Sequence, residues 1–209
     1  MGTCRAFIGM TMLYGSLSIS GCTTVNTLGT TDQEVVRSLH DYQPIGGTAG
    51  AIIGYQMDNL VQGMRRSIAN GTIERVGEGI RISFDSEILF ATNSSRVQPG
   101  ARVSIESLAV ILNHCPETEI LVTGYTDNTG TGEYYRRLSE QRADSITEYL
   151  RNLGVESLRL KVAGRGDSDP VASNISSEGR RQNRRLELVI TANDAMKNAA
   201  RNNERVCRN

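Results

Sequence analysis

The 209-residue chain has no tryptophan, three phenylalanines, four prolines, two histidines and two lysines. Its histidines, His40 and His114, and its four cysteines, with no CxxC pair among them, leave a zinc site almost without ligands. His114 and Cys115 are neighbours in sequence, a poor arrangement for a nucleophile and its base, and no GxSxG, HExxH or SxxK motif occurs. The chain is therefore not read as an enzyme, and no cofactor is called for. An excess of positive charge is also missing: 23 basic residues face 23 acidic ones, which argues against nucleic acid as a partner. Nor does any apolar run reach the ~20 residues that a membrane-spanning helix needs.

What is present begins with a processing signal. Arg5 precedes an uncharged, mostly apolar stretch from Ala6 to Ile19, followed by small residues, so residues 1–21 have the layout of a secretory signal peptide. The run "ISGC", Ile19 to Cys22, resembles the bacterial lipobox, whose Cys is acylated and becomes the mature first residue. Thr23 follows, and the lack of an Asp there resembles lipoproteins sorted to an outer membrane, with outer-membrane lipid as the partner of acylated Cys22. Residues 22–43 are polar and suit a tether. In residues 44–76, Gly46, Gly50 and Gly54 recur every four positions. That small-xxx-small pattern permits close helix approach and self-association, with a flexible hinge as the alternative, and a short helix is expected from Met57 to Asn70. Once Cys4 is removed and Cys22 acylated, Cys115 and Cys207 are the two thiols left. An oxidising compartment makes them candidates for a disulfide pinning the tail; two independent thiols are the alternative.

A domain spanning residues 77–192 follows. Ile80, Ile82 and Phe84 alternate as in a strand. Pro99 suits the first turn of a helix whose apolar stripe is Ile105, Leu108, Ala109 and Leu112. Residues 118–125 form an apolar strand, expected to be central. A helix from Glu133 ends near Gly154, residues 158–164 alternate again, a short polar helix covers 177–182, and 184–191 form the last strand. The order is βαβαβαβ, with crossovers long enough for parallel pairing, and residues 193–209 form a polar tail.

One residue in this pattern calls for explanation. The helix after Glu133 places Tyr135, Leu138, Ile146, Tyr149, Leu150 and Leu153 on one apolar face. Arg142 lies four residues after Leu138 and four before Ile146, on that same face. A desolvated guanidinium needs compensation, since an unpaired buried charge costs several kcal/mol, roughly. Asp127, just past the strand 118–125, stands where α/β domains place binding groups. The two residues either form a structural salt bridge or hold the two ends of a zwitterion, the carboxylate accepting from an ammonium and the guanidinium forking onto a carboxylate.

The motifs TD (126–127), RLSEQRA (137–143), GxGxxxP (164–170) and NRRLE (183–187) stand in an order that resembles the OmpA-like domain family over roughly residues 78–192. With the lipobox and glycine repeat, the chain is similar to small glycine-zipper outer-membrane lipoproteins and to peptidoglycan-associated lipoproteins. The resemblance implies an α/β two-layer sandwich with helices packed on a mixed sheet. It also implies non-covalent binding of the peptidoglycan stem peptide, in a domain facing the periplasm. The Asp and Arg that hold meso-diaminopimelate in that family fall on Asp127 and Arg142. Phe90 and Asn93 match a segment near the ligand, although Ala91 replaces the Asp usual there. Thr126 and Asn128 are further candidate contacts, with turn formation as the alternative, and Asn183 and Arg184 are candidates with a structural role as the alternative. A stator subunit of the same family would need a transmembrane helix, whereas a scaffold within an envelope assembly or secretion system is a compatible alternative.

Overall fold

The computed structural model describes residues 45–204, 206 and 207. The signal segment, Cys22 and the whole of the tether, residues 22–43, lie outside the described residues. Helix α1 (Gly47–Ser67) leads into the hairpin β1 (Gly71–Val76) and β2 (Gly79–Asp85), then the short α2 (Ser86–Leu89) and α3 (Pro99–His114). Strand β3 (Thr118–Tyr125), helix α4 (Gly132–Asn152) and strand β4 (Leu160–Gly166) form a parallel crossover. Helix α5 (Ser177–Asn183), strand β5 (Arg185–Ala192) and helix α6 (Asp194–Arg201) complete the fold.

The sheet order is β1-β2-β5-β3-β4, mixed, with β3 and β4 its one parallel pair. β5, rather than β3, takes the central place. The reason lies in the connection: β4 ends at Gly166 beside the end of β3, and β5 starts at Arg185 at that same end of the sheet. A chain that stays at one end reverses direction, so β5 runs antiparallel to β3. This end of the sheet gathers Thr126, Asp127 and Arg184.

Period-two alternation puts Ile80, Ile82 and Phe84, Ile120 and Val122, and Leu186, Leu188 and Ile190 on one face, where they form the core with α1, α3, α4 and α6. Helix α4 presses closely on β3 and β4. A Cβ at Gly124 would stand 2.1 Å from the Ser139 carbonyl oxygen, and one at Gly164 would stand 2.5 Å from Glu140 Cβ. Only glycine permits that approach.

Residues 45–76 form more than a hinge or a short helix. Helix α1 starts at Gly47 and buries Ile53, Met57, Leu60, Val61 and Met64 at spacings of three and four, and β1 is an additional strand. The glycine repeat faces the molecule's own hairpin: a Cβ at Gly50 would meet Glu78 Oε1 at 2.7 Å, and one at Gly54 would lie 3.7 Å from Arg75 Nη2. Arg75 clamps the two elements, pairing with Asp58 of α1 at 2.7 Å while donating to the Gly77 and Gly79 carbonyls at 2.8 Å. Cys115 and Cys207 are joined in a disulfide, with Cα atoms 4.5 Å apart, across a sequence separation of 92. A closed loop of that length removes about 4–5 kcal/mol of unfolded-state entropy in the chain-entropy model.

Candidate functional site

A cavity of about 380 Å³ opens at the C-terminal end of β3. One wall is α2 with the turn that follows it, another is the start of α4, and Arg184 closes the side toward β5. Asp85 caps α2 by accepting from the Glu87 N–H at 2.9 Å, which fixes Ser86 and Glu87 at the rim. Phe90 bridges to Val97, and Asn93 adopts φ 53°, a left-handed conformation that Asn tolerates better than most residues. The tight turn directs the Ser94 carbonyl toward α4.

Asp127, 4% exposed, is held from both sides. Its Oδ1 accepts from the Thr129 N–H at 3.0 Å and the Thr129 hydroxyl at 2.6 Å, an Asx-type turn. Its Oδ2 accepts from Arg184 Nη1 at 2.6 Å, and Arg184 Nη2 pairs in turn with Glu87. Burial alone would raise the Asp127 carboxyl, but the Thr129 and Arg184 hydrogen bonds outweigh it and hold the group below the usual carboxylate range.

Arg142 is not the partner of Asp127. It is 6% exposed, and its Nε donates to the Ser94 carbonyl at 2.9 Å while the guanidinium lies 5.3 Å from the centroid of the Phe90 ring. Among the described residues, no carboxylate lies within ion-pair distance of it. Burial, and then the positive charge of Arg184, pull its pKa below the ordinary arginine value. Arg159 supplies an internal contrast. It is equally buried, at 5%, but its guanidinium donates four hydrogen bonds, to the Leu112, Cys115 and Thr118 carbonyls and the Thr118 hydroxyl. Arg159 is thus surrounded by acceptors at Nε and Nη2, whereas Arg142 has one acceptor among the described residues and faces a cavity.

Two buried hydroxyls on the cavity wall, Ser86 Oγ and Thr126 Oγ1, lack hydrogen-bond partners among the described residues. An unmet buried polar group of this kind costs about 1–3 kcal/mol, so both are unspent polar capacity in the cavity wall. The electrostatics are split. Asp127, Arg184 and Glu87 form a chain with one surplus negative charge, and Arg142 presents one positive charge on the α4 wall.

Of the residues expected from sequence, Phe90, Asn93, Thr126, Asp127 and Arg142 line the cavity. Asn128 is exposed and is not among the lining residues. Asn183 is displaced from the site for a clear reason. It is fully buried, with its Oδ1 accepting from the Val171 and Ala172 N–H groups and its Nδ2 donating to Ala172 O and Asn174 Oδ1. Its side chain thus fastens the loop before α5. Ser86, Glu87, Thr129, Tyr135 and Leu138 line the cavity without having been singled out as contacts, and Arg184, a candidate beside Asn183 with a structural role as the alternative, lines it as well. The Asp-x-Thr spacing of Asp127 and Thr129 is a sequence signal for the turn; Ser86 and Glu87 carry none, because their place depends on where α2 docks.

A model of the OmpA family matches residues 89–184. The outer-membrane lipoprotein YfiB of Pseudomonas aeruginosa is 34% identical over 55% of this chain and 68% of its own length. The chain belongs to the OmpA family. Within that family, the probable lipoprotein YiaD of Escherichia coli K12 is 29% identical over 90% of this chain and 98% of its own. Among solved structures, the cell wall anchor of the T6SS from Pseudomonas aeruginosa matches with a TM-score of 0.57 and 27% identity, over 65% of this chain and 96% of that one. The OmpA-family match covers the cavity-lining residues from Phe90 to Arg184, with Ser86 and Glu87 just outside it.

Proposed function

We propose that this chain is an envelope lipoprotein whose OmpA-like domain binds peptidoglycan non-covalently by taking up the meso-diaminopimelate of the stem peptide. The side-chain carboxylate of that residue would be forked by Arg142, and its ammonium received by Asp127 at the edge of the Asp127–Arg184–Glu87 chain. The observation that carries this reading is the unspent donor capacity of a buried Arg142 facing a cavity across from that chain. The zwitterion supplies the acceptor Arg142 lacks and the cation the acidic chain can still accept. Two similar proteins named as lipoproteins and one described as a cell wall anchor support the same reading. Acylation of Cys22 would fix the chain to the outer membrane with the domain facing the periplasm, so that one molecule joins membrane to wall. It acts as a binding module rather than a catalyst. The likeness to an anchor within a secretion assembly favours a second, compatible role as a scaffold that uses the same wall contact.

Co-sedimentation of the full chain with purified sacculi tests this. Free meso-diaminopimelate should compete the protein off, and sacculi whose diaminopimelate carboxylate is amidated should retain much less of it. Undiminished sedimentation in both cases would refute the assignment.

A further inference from the structure

The face of the sheet turned away from the helices carries a second site. Because Leu186 and Leu188 point to the core, Arg185 and Glu187 point to the opposite face. There they line a groove of about 500 Å³ together with Arg81 of β2, Tyr125 of β3, Arg165 of β4 and Asp169. Arg185 is 6% exposed. Its Nε pairs with Glu187 at 2.7 Å, its Nη2 donates to the Asp169 carbonyl at 3.1 Å, and its guanidinium stacks 3.7 Å from the centroid of the Tyr125 ring. Its remaining nitrogen, Nη1, is buried without an acceptor among the described residues.

Arg165 repeats the pattern from the other side of β3. The register of β3 with β4 steps from Gly124↔Gly164 to Tyr125↔Gly166, which leaves Arg165 as the extra residue of a bulge. Bulges re-aim side chains at strand ends. Arg165 Nε is buried without a hydrogen bond, and the Asp169 carboxylate stands 4.0 Å away, beyond hydrogen-bond reach. Two charged side chains on the strands that flank β3 thus share one groove, each with one nitrogen that lacks a hydrogen-bond acceptor among the described residues. Arg81 pairs with Glu74 at 2.7 Å, so each of the three guanidiniums has a carboxylate partner, and what stays unmet in the groove is Arg185 Nη1 and Arg165 Nε. An unmet charged donor is costly to bury, and the group that satisfies two of them at once is an oxyanion.

We propose that this groove binds a small oxyanion, a carboxylate or phosphate group, held between Arg165 and Arg185 across Tyr125. Burial, and then the nearby Glu187 carboxylate, push the Tyr125 phenol up to about 12, so it stays protonated and does not repel an anion at neutral pH. The site is separate from the cavity at Asp127. Arg184 and Arg185 are consecutive, yet the first serves that cavity and the second this groove. The inference therefore does not depend on the peptidoglycan assignment.

The test titrates the full chain, followed by amide NMR, with sodium phosphate and separately with sodium acetate, each against sodium chloride at matched ionic strength. Saturable shifts are expected at Tyr125, Arg165 and Arg185. Saturation by phosphate alone would mark a phosphate-bearing ligand, such as a lipid headgroup, and saturation by acetate a carboxylate-bearing one. Arg165→Gln, checked for a cooperative melt, should weaken the bound anion by about tenfold. Arg165→Lys, which keeps the charge without the fork, should fall between. The proposal is overturned if neither anion gives saturable shifts, if the shifts centre on Asp127 and Arg142, or if Arg165→Gln binds as wild type does.

Discussion

Asp127 and Arg142 stand in the same cavity under opposite constraints. The Asp127 carboxylate has three donors from its own chain, so it contributes to folding as well as to the site. Its folded pKa lies below the ordinary value of 3.8, so its contribution is fully present above that value and is lost as pH falls through the folded pKa. Stability measured against pH should therefore show wild type ahead of Asp127→Asn at neutral pH, with the gap closing only as the pH drops below the ordinary carboxylate range. A gap that is constant down to strong acid would mean the carboxylate is not what Thr129 and Arg184 hold. The spacing of Asp127 and Arg142 in sequence left a direct salt bridge open. The structure resolves this by giving Asp127 to Arg184 and leaving Arg142 with Ser94. That exchange was not legible in sequence, because Arg184 follows the loop from β4 and reaches the cavity only through the antiparallel insertion of β5.

Among the elements, α4 shows how a functional helix is positioned. Its apolar spacing predicts both the helix and its buried face, and the structure buries Leu138, Arg142, Ala143, Ile146 and Leu150 there. The closeness of its approach rests on two glycines in the strands beneath. Gly124→Ala would drive a methyl into the backbone of α4, which cannot yield, and should cost more than about 3 kcal/mol or prevent folding. Gly50→Ala meets only the end of the Glu78 side chain, which can swing aside, and should shift the melt by little. Thermal melts of the two variants make the comparison. Equal and severe losses would contradict the packing described for α1, and a harmless Gly124→Ala would contradict that of α4. The glycine repeat illustrates where pattern reading stops. A repeat of small residues announces close approach, but not whether the neighbour is another helix, a lipid or, as here, the chain's own hairpin.

For the whole molecule, the fold class was legible because hydrophobic period and motif order agree along residues 77–192. The direction and place of β5 were not, since direction depends on which end of the sheet a connection stays at and place on which strand it docks against, and alternation within a strand carries no such information. Strand β1 is hard to read from sequence because in GTIERV the inward positions are Gly71, Ile73 and Arg75, so burial alternates while only Ile73 supplies an apolar side chain to show it. The site was legible to the extent that a charged residue on an apolar stripe is an anomaly; its Ser86 hydroxyl and its second carboxylate, Glu87, were not, because α2 sets them by tertiary docking.

The central claim is that Arg142 is held buried and under-bonded for a ligand. Replacing it with methionine removes a desolvated charge that the fold itself barely uses, so folding should be unimpaired or improved, as with other buried ions exchanged for apolar residues. Wall binding should meanwhile fall by roughly 2–5 kcal/mol, because the ligand carboxylate loses its fork. The decisive measurement is thus sedimentation of full-length Arg142→Met with sacculi, beside its thermal melt. A melting temperature at or above wild type together with loss of sedimentation is the predicted result. A folded Arg142→Met that sediments as wild type does, or one that melts far lower while its folded fraction still binds, would contradict it.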